Sequence, residues 1–102
     1  MDGFTVIAEP ARRAIVDRLR IHDHDVGALV SALDLSQPLI SKHLRILRDA
    51  GVVDVEAIGK RRVYRLTDRP LPDVMTWLAP YIAQWTASFD RLAYAMDGEE
   101  PS

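Results

Sequence analysis

Cysteine is absent from this chain of 102 residues. That excludes a disulfide framework, a thiolate metal site and a thiol redox switch. No apolar run approaches the roughly 20 residues that a membrane-spanning helix needs. The opening Met1-Asp2-Gly3-Phe4-Thr5 lacks the basic and apolar regions of a signal peptide, so a cytoplasmic location and no membrane partner are expected. Histidine numbers three residues and does not recur after His43. There is no Gly-rich phosphate loop, no activated-nucleophile motif and no metal triad, so neither an enzyme nor a cofactor is expected. Internal repeats and low-complexity tracts are also missing. What remains is ordinary globular composition, 48% apolar and 27% charged. The expected organisation is one domain over residues 1–97 and a flexible tail over 98–102.

The formal net charge is −2, yet it is unevenly spread. Residues 41–65 carry seven basic and three acidic side chains, a local +4. Residues 1–40 stand at −2 and residues 66–102 at −4. Local field, rather than whole-chain charge, steers association with an anionic polymer. A solvated basic face would give the same pattern, so the charge needs structural company to mean anything.

That company comes from residues 26 to 65. Val26 to Leu33 reads as a short helix, with Asp25 placed to cap it. Asp34-Leu35-Ser36 makes a turn. A second helix, 37–49, opens on Gln37-Pro38 behind Ser36 as N-cap and stops at Ala50-Gly51. Ile40, Leu44 and Leu47 share its packing face, which leaves Gln37, Ser41, Lys42, Arg45 and Arg48 largely elsewhere. Two alternating β-type runs follow within 53–66, joined by Ile58-Gly59-Lys60-Arg61. The expected fold is therefore mainly α with a small β-hairpin, a winged helix-turn-helix whose second helix enters the DNA major groove.

The flanks are helical. Glu9-Pro10 should open the first helix, with Ile15 and Leu19 in its core stripe and Arg12, Arg13, Asp17 and Arg20 suited to water. His22-Asp23-His24-Asp25 reads as a polar connector. At the other end Leu71, Met75, Leu78, Ile82, Trp85, Phe89, Leu92 and Met96 repeat at alternating intervals of four and three, an a/d heptad seam. Pro80 should kink or divide that helix. The seam is too long for one small body to hide.

At this point the chain resembles the ArsR-type family of bacterial winged-helix repressors. The resemblance is carried by Ala8-Glu9-Pro10-Ala11-Arg12-Arg13-Ala14-Ile15 and by Leu35 to Leu44. It continues through Leu47-Arg48-Asp49-Ala50-Gly51-Val52-Val53 and the wing Gly59 to Leu66. It implies a homodimer whose first and last helices form the interface. It also implies repression by occupying a promoter, with release by a signal. Many members sense metals through a cysteine pair near the recognition helix, or through acidic and histidine ligands on the last helix; this chain has neither set. Glu9 stands where an aspartate is frequent and is the weaker N-cap.

Each candidate residue has a bland alternative. Ser36 is expected to cap and to hold phosphate, the alternative being capping alone, while Gln37 and Ser41 are expected to contact DNA at base edges or phosphate, the alternative being simple solvation. Lys42 would hold phosphate, and Arg45 phosphate or guanine. Lys60, Arg61 and Arg62 would bind backbone or enter the minor groove, the alternative being a solubilising hairpin tip. His43 is either half-buried and satisfied by backbone or a phosphate contact. His22 and His24 are the only ligand-like pair; as metal ligands they would make a metal-responsive repressor, and as a connector they do nothing of the kind. Trp77, Tyr81, Trp85 and Phe89 could line an effector pocket, but packing is the simpler role. The expected interface set is Ile15, Leu19, Leu78, Ile82, Trp85, Phe89 and Leu92. The main reading is a homodimer that binds double-stranded DNA at an inverted repeat. The competing one is a winged-helix protein–protein interaction module.

Overall fold

The structure, a computed structural model, describes residues 1–97. The expected tail at 98–102 lies outside the described residues. Eight elements follow one another: α1 (Gly3–Ala8), α2 (Pro10–Ile21), β1 (His24–Asp25), α3 (Val26–Leu33), α4 (Gln37–Asp49), β2 (Val53–Ile58), β3 (Arg61–Leu66) and α5 (Pro72–Asp97). The strands form one antiparallel sheet in the order β1-β3-β2. Val53 pairs with Leu66, Val55 with Tyr64 and Ile58 with Arg61.

Local chemistry explains the element ends. The Asp25 carboxylate accepts the Ala28 N–H at 2.8 Å and so starts α3. Ser36 does the same for α4 through the Leu39 N–H at 3.3 Å, and Pro38 occupies the first turn, where its missing donor has no partner to lose. Gly51 takes a φ of 76°, and the N–H groups of Gly51 and Val52 return to Arg48 and Leu47 carbonyls to close α4. Glu9 provides no side-chain cap for α2. Beyond α4, the Ile58–Arg61 pair leaves a two-residue turn. Gly59 sits there at φ 62° and Lys60 does not take positive φ, the pattern of a type II′ hairpin turn.

The core joins Val6 of α1, Ile15 and Leu19 of α2, Leu29 of α3, Ile40, Leu44 and Leu47 of α4, and Val52, Val53 and Tyr64 of the hairpin region. Burying each large apolar side chain contributes about 1.5–3 kcal/mol, which fixes α4 against the body and leaves its far side free. Helix α5 takes little part: Val74 is its one buried residue among those described.

Three expectations are corrected and a fourth is narrowed. A separate helix, α1, precedes the Glu9-Pro10 start. The connector at 22–25 contributes strand β1, paired through His24↔Tyr64 and Asp25↔Val63. Arg12 is buried rather than solvated, for reasons given below. Of the two outcomes expected at Pro80, a kink or a division, division does not occur: the helix runs through it over 26 residues. Thr76, whose carbonyl would have met the missing N–H, is exposed along with Pro80, so water can satisfy it.

Candidate nucleic-acid interface

The exposed side of α4 is polar and cationic by construction. Gln37, Ser41, Arg45 and Arg48 stand at i, i+4, i+8 and i+11, which puts them on one stripe. Gln37, Ser41, Arg45 and Arg48 are exposed, opposite the buried Ile40, Leu44 and Leu47. Lys42 is exposed at the side of that stripe. Strand β3 rises beside it. Between them lies a cleft of about 590 Å³, lined by the four stripe residues together with Arg62 and Tyr64. Three guanidinium groups thus share one concave surface with a single carboxylate, that of Asp49. Arg48 is here as its place on the exposed side of α4 leads one to expect, whereas Tyr64 lies outside the expected DNA-facing set. Tyr64 lines the cleft because the fold brings β3 to the same hollow as α4, which no local spacing in the sequence announces.

The wing arginines are not equivalent. Arg61 Nε donates to Asp25 Oδ2 at 2.9 Å. The same carboxylate is held below the usual carboxylate range, first by the Ala28 N–H and then by Arg61. Arg65 donates to Glu56 across the hairpin, and its Nε lies 3.4 Å from Asp23 without the alignment of a hydrogen bond. Among the described residues, Lys42, Arg45, Arg48, Lys60 and Arg62 have no carboxylate within 4.0 Å. Within α4 and the wing, these five are the cations whose charge is uncommitted. Ser36 is exposed, and its hydroxyl oxygen already accepts the Leu39 N–H.

His43 is on the other side of α4. It is 6% exposed and faces Arg12, so it is not turned toward a phosphate. His22 and His24 stack, with ring centroids 4.2 Å apart and planes within 4°. Each Nδ1 is 2.8 Å from a main-chain oxygen, of Asp23 and His22 respectively. The neighbouring Asp23 and Asp25 face Arg65 and Arg61.

A second surface is apolar. Along α5, Ile82, Trp85, Phe89 and Leu92 are exposed, Phe89 to 70%, while Leu78 is half-buried. Ile15 and Leu19, expected beside them, lie inside the subunit's own core at 0% and 4% exposure. They pack under α3 and α4 and offer nothing to a partner. The neighbour of α5 is α1 instead. Phe4 meets Trp77 edge-to-face at 5.8 Å, and the Gly3 N–H donates to Asp73 Oδ2 at 2.9 Å.

Comparison with known proteins agrees with this geometry. The family model described as bacterial regulatory protein, arsR family, matches residues 9–55. The HTH-type transcriptional repressor SmtB of Mycobacterium tuberculosis is 46% identical over 69 residues, 68% of this chain; the match takes in 51% of that repressor, so the chain spans about half of its length. The HTH-type transcriptional regulator Rv2034 of Mycobacterium tuberculosis is 37% identical over 95% of this chain and 88% of its own. A solved structure of a possible transcriptional regulator for arsenical resistance superposes with a TM-score of 0.69 at 34% identity, covering 98% of this chain and 99% of that one.

Proposed function

The chain belongs to the ArsR family of bacterial regulatory proteins, and from that premise we propose that it is a homodimeric, DNA-binding transcriptional repressor. The observation that carries the reading is the set of five uncommitted cations on α4 and the wing, beside the exposed amide and hydroxyl of Gln37 and Ser41. Uncommitted guanidinium and ammonium groups neutralise phosphates; amide and hydroxyl groups at a helix start read base edges. Helix α4 then enters the major groove, and the wing, through Lys60 and Arg62, lies along the backbone. The chain works by binding, in the cytoplasm, and repression follows from occupying the promoter.

A second copy is the occupant of the α5 face. The radius of gyration is 18.2 Å, against about 13 Å for a compact chain of this length. The long dimension, 61 Å against 26 and 23 Å, belongs to a helix whose last turns are exposed on every side. Ile82, Trp85, Phe89 and Leu92 supply a self-complementary apolar stripe of the kind a two-fold interface needs.

Salt titration of a labelled random-sequence duplex tests the DNA reading. Affinity is expected to fall steeply as salt rises. Lys60→Ala with Arg62→Ala is expected to reduce the logarithmic slope by about 2, near one for each phosphate that is no longer neutralised. Binding that ignores salt, or a double variant with the wild-type slope, contradicts the assignment.

A further inference from the structure

Helix α1 ends on four carbonyls that have no partner within so short a helix. Two guanidinium groups from α2 take all four. Arg12 Nε donates to Val6 O at 2.7 Å and Arg12 Nη2 to Thr5 O at 3.2 Å. Arg13 Nη1 donates to Ile7 O at 2.6 Å and to Ala8 O at 3.2 Å. This is why Arg12 is buried. One of its nitrogens is left over, and Nη1 lies 3.4 Å from His43 Nδ1 on α4.

The tautomer follows from the partner. A guanidinium has donors only, so Nδ1 accepts and His43 is neutral with its proton on Nε2. Three charged groups bear on the ring: Arg12 from α2, Glu9 at the start of α2, and Lys42 beside it on α4. Burial first, and Arg12 next, hold His43 below histidine's ordinary 6.5; Lys42 acts the same way and Glu9 opposes. A proton arriving at Nδ1 would face the guanidinium directly. It would remove the hydrogen bond and put two cations side by side.

We infer that Arg12 and His43 are positioning residues of the DNA-reading helix, tying α4 to the end of α1, and that protonation of His43 releases the tie. Helix α1 in turn carries Phe4 against Trp77 and Gly3 against Asp73, so the strut joins the α5 side of the molecule to the reading helix through its buried face. Because the folded value is lowered, the tie is intact above 6.5 and is lost as pH falls through the lower, folded value.

The inference rests on the proposed DNA reading, so two measurements are needed, one of them free of DNA. Nitrogen NMR of the histidine rings in the full chain is expected to show His43 with an unprotonated Nδ1 at neutral pH, titrating below 6.5. A proton on Nδ1, or titration at or above that value, overturns the strut. The second measurement uses a duplex enriched from a random pool by the wild type at neutral pH. At constant ionic strength, affinity is expected to drop about tenfold over the pH range in which His43 gains its proton. His43→Asn, which puts a carbonyl oxygen where Nδ1 stands and has no proton to gain, is expected to hold its affinity within about twofold over the same range. Parallel losses in both proteins refute the coupling. Should Asn fail to fold, the ring measurement still decides; should no duplex be enriched, the DNA reading fails while the ring measurement still judges the strut.

Discussion

Asp25 performs two tasks with one carboxylate. Oδ1 caps α3 through Ala28 and Oδ2 holds Arg61. The second task commits a wing cation to a carboxylate. Asparagine caps about as well as aspartate but carries no charge. Asp25→Asn is therefore expected to leave the fold intact and to tighten binding to any duplex, most visibly at low salt. Unchanged affinity at low salt would mean that Arg61 never reaches a phosphate. Gly3 is limited by space: a Cβ there would stand 2.3 Å from Asp73 Oδ1. The carboxylate must swing away and give up the Gly3 N–H, so Gly3→Ala should lower stability by about 1 kcal/mol in a denaturant titration. No loss would show that the α1–α5 clamp is slack. Capping is legible in the sequence at this scale, because Asp25 and Ser36 act on residues three places away. The Arg12–His43 pairing is not: it joins positions 31 residues apart, and a lone arginine in a helix reads as a surface residue.

Among the elements, the ones with internal periodicity can be read and the ones held by distant groups cannot. Helix α4 announces itself through Ile40, Leu44 and Leu47, all buried as their spacing requires. Helix α1 has six residues and one buried side chain, Val6, too few to show a period. Its stability comes from Asp2 at one end and from the guanidinium groups of α2 at the other. Strand β1 has two residues and exists only as the partner of β3. Pro80 lies within one continuous helix for a different reason. An interior proline usually costs about 3 kcal/mol, enough to break or bend most helices. Here the affected turn faces solvent, and the apolar stripe continues on both sides of it. Pro80→Ala should then raise the thermal midpoint by restoring a hydrogen bond and good propensity. A lower midpoint would indicate that the proline shapes the helix for its partner.

Taken as a whole, the molecule has two unlike parts, a closed core and a long exposed helix. An apolar stripe on α5 has no cover, while the body it springs from has its own closed core. The heptad seam is legible in the sequence. Its neighbour is not, because Ile15 and Leu19 have the same helical spacing whether they face a partner or their own core. Trp85, 55% exposed in the single chain, is the place to test pairing. Trp85→Glu should leave the helical signal intact yet give a monomer by sedimentation at micromolar concentration, since a charge in a paired apolar seam lacks any partner. A dimer of wild-type strength would move the interface elsewhere. The most direct trial of the central claim is the sequence of duplexes enriched from a random pool by the full chain. A repressor dimer with one α4 in each of two successive major grooves selects an inverted repeat, its half-sites centred about 34 Å apart. That is the predicted result; a pool that stays random, or one that yields only a single unpaired half-site, contradicts the account.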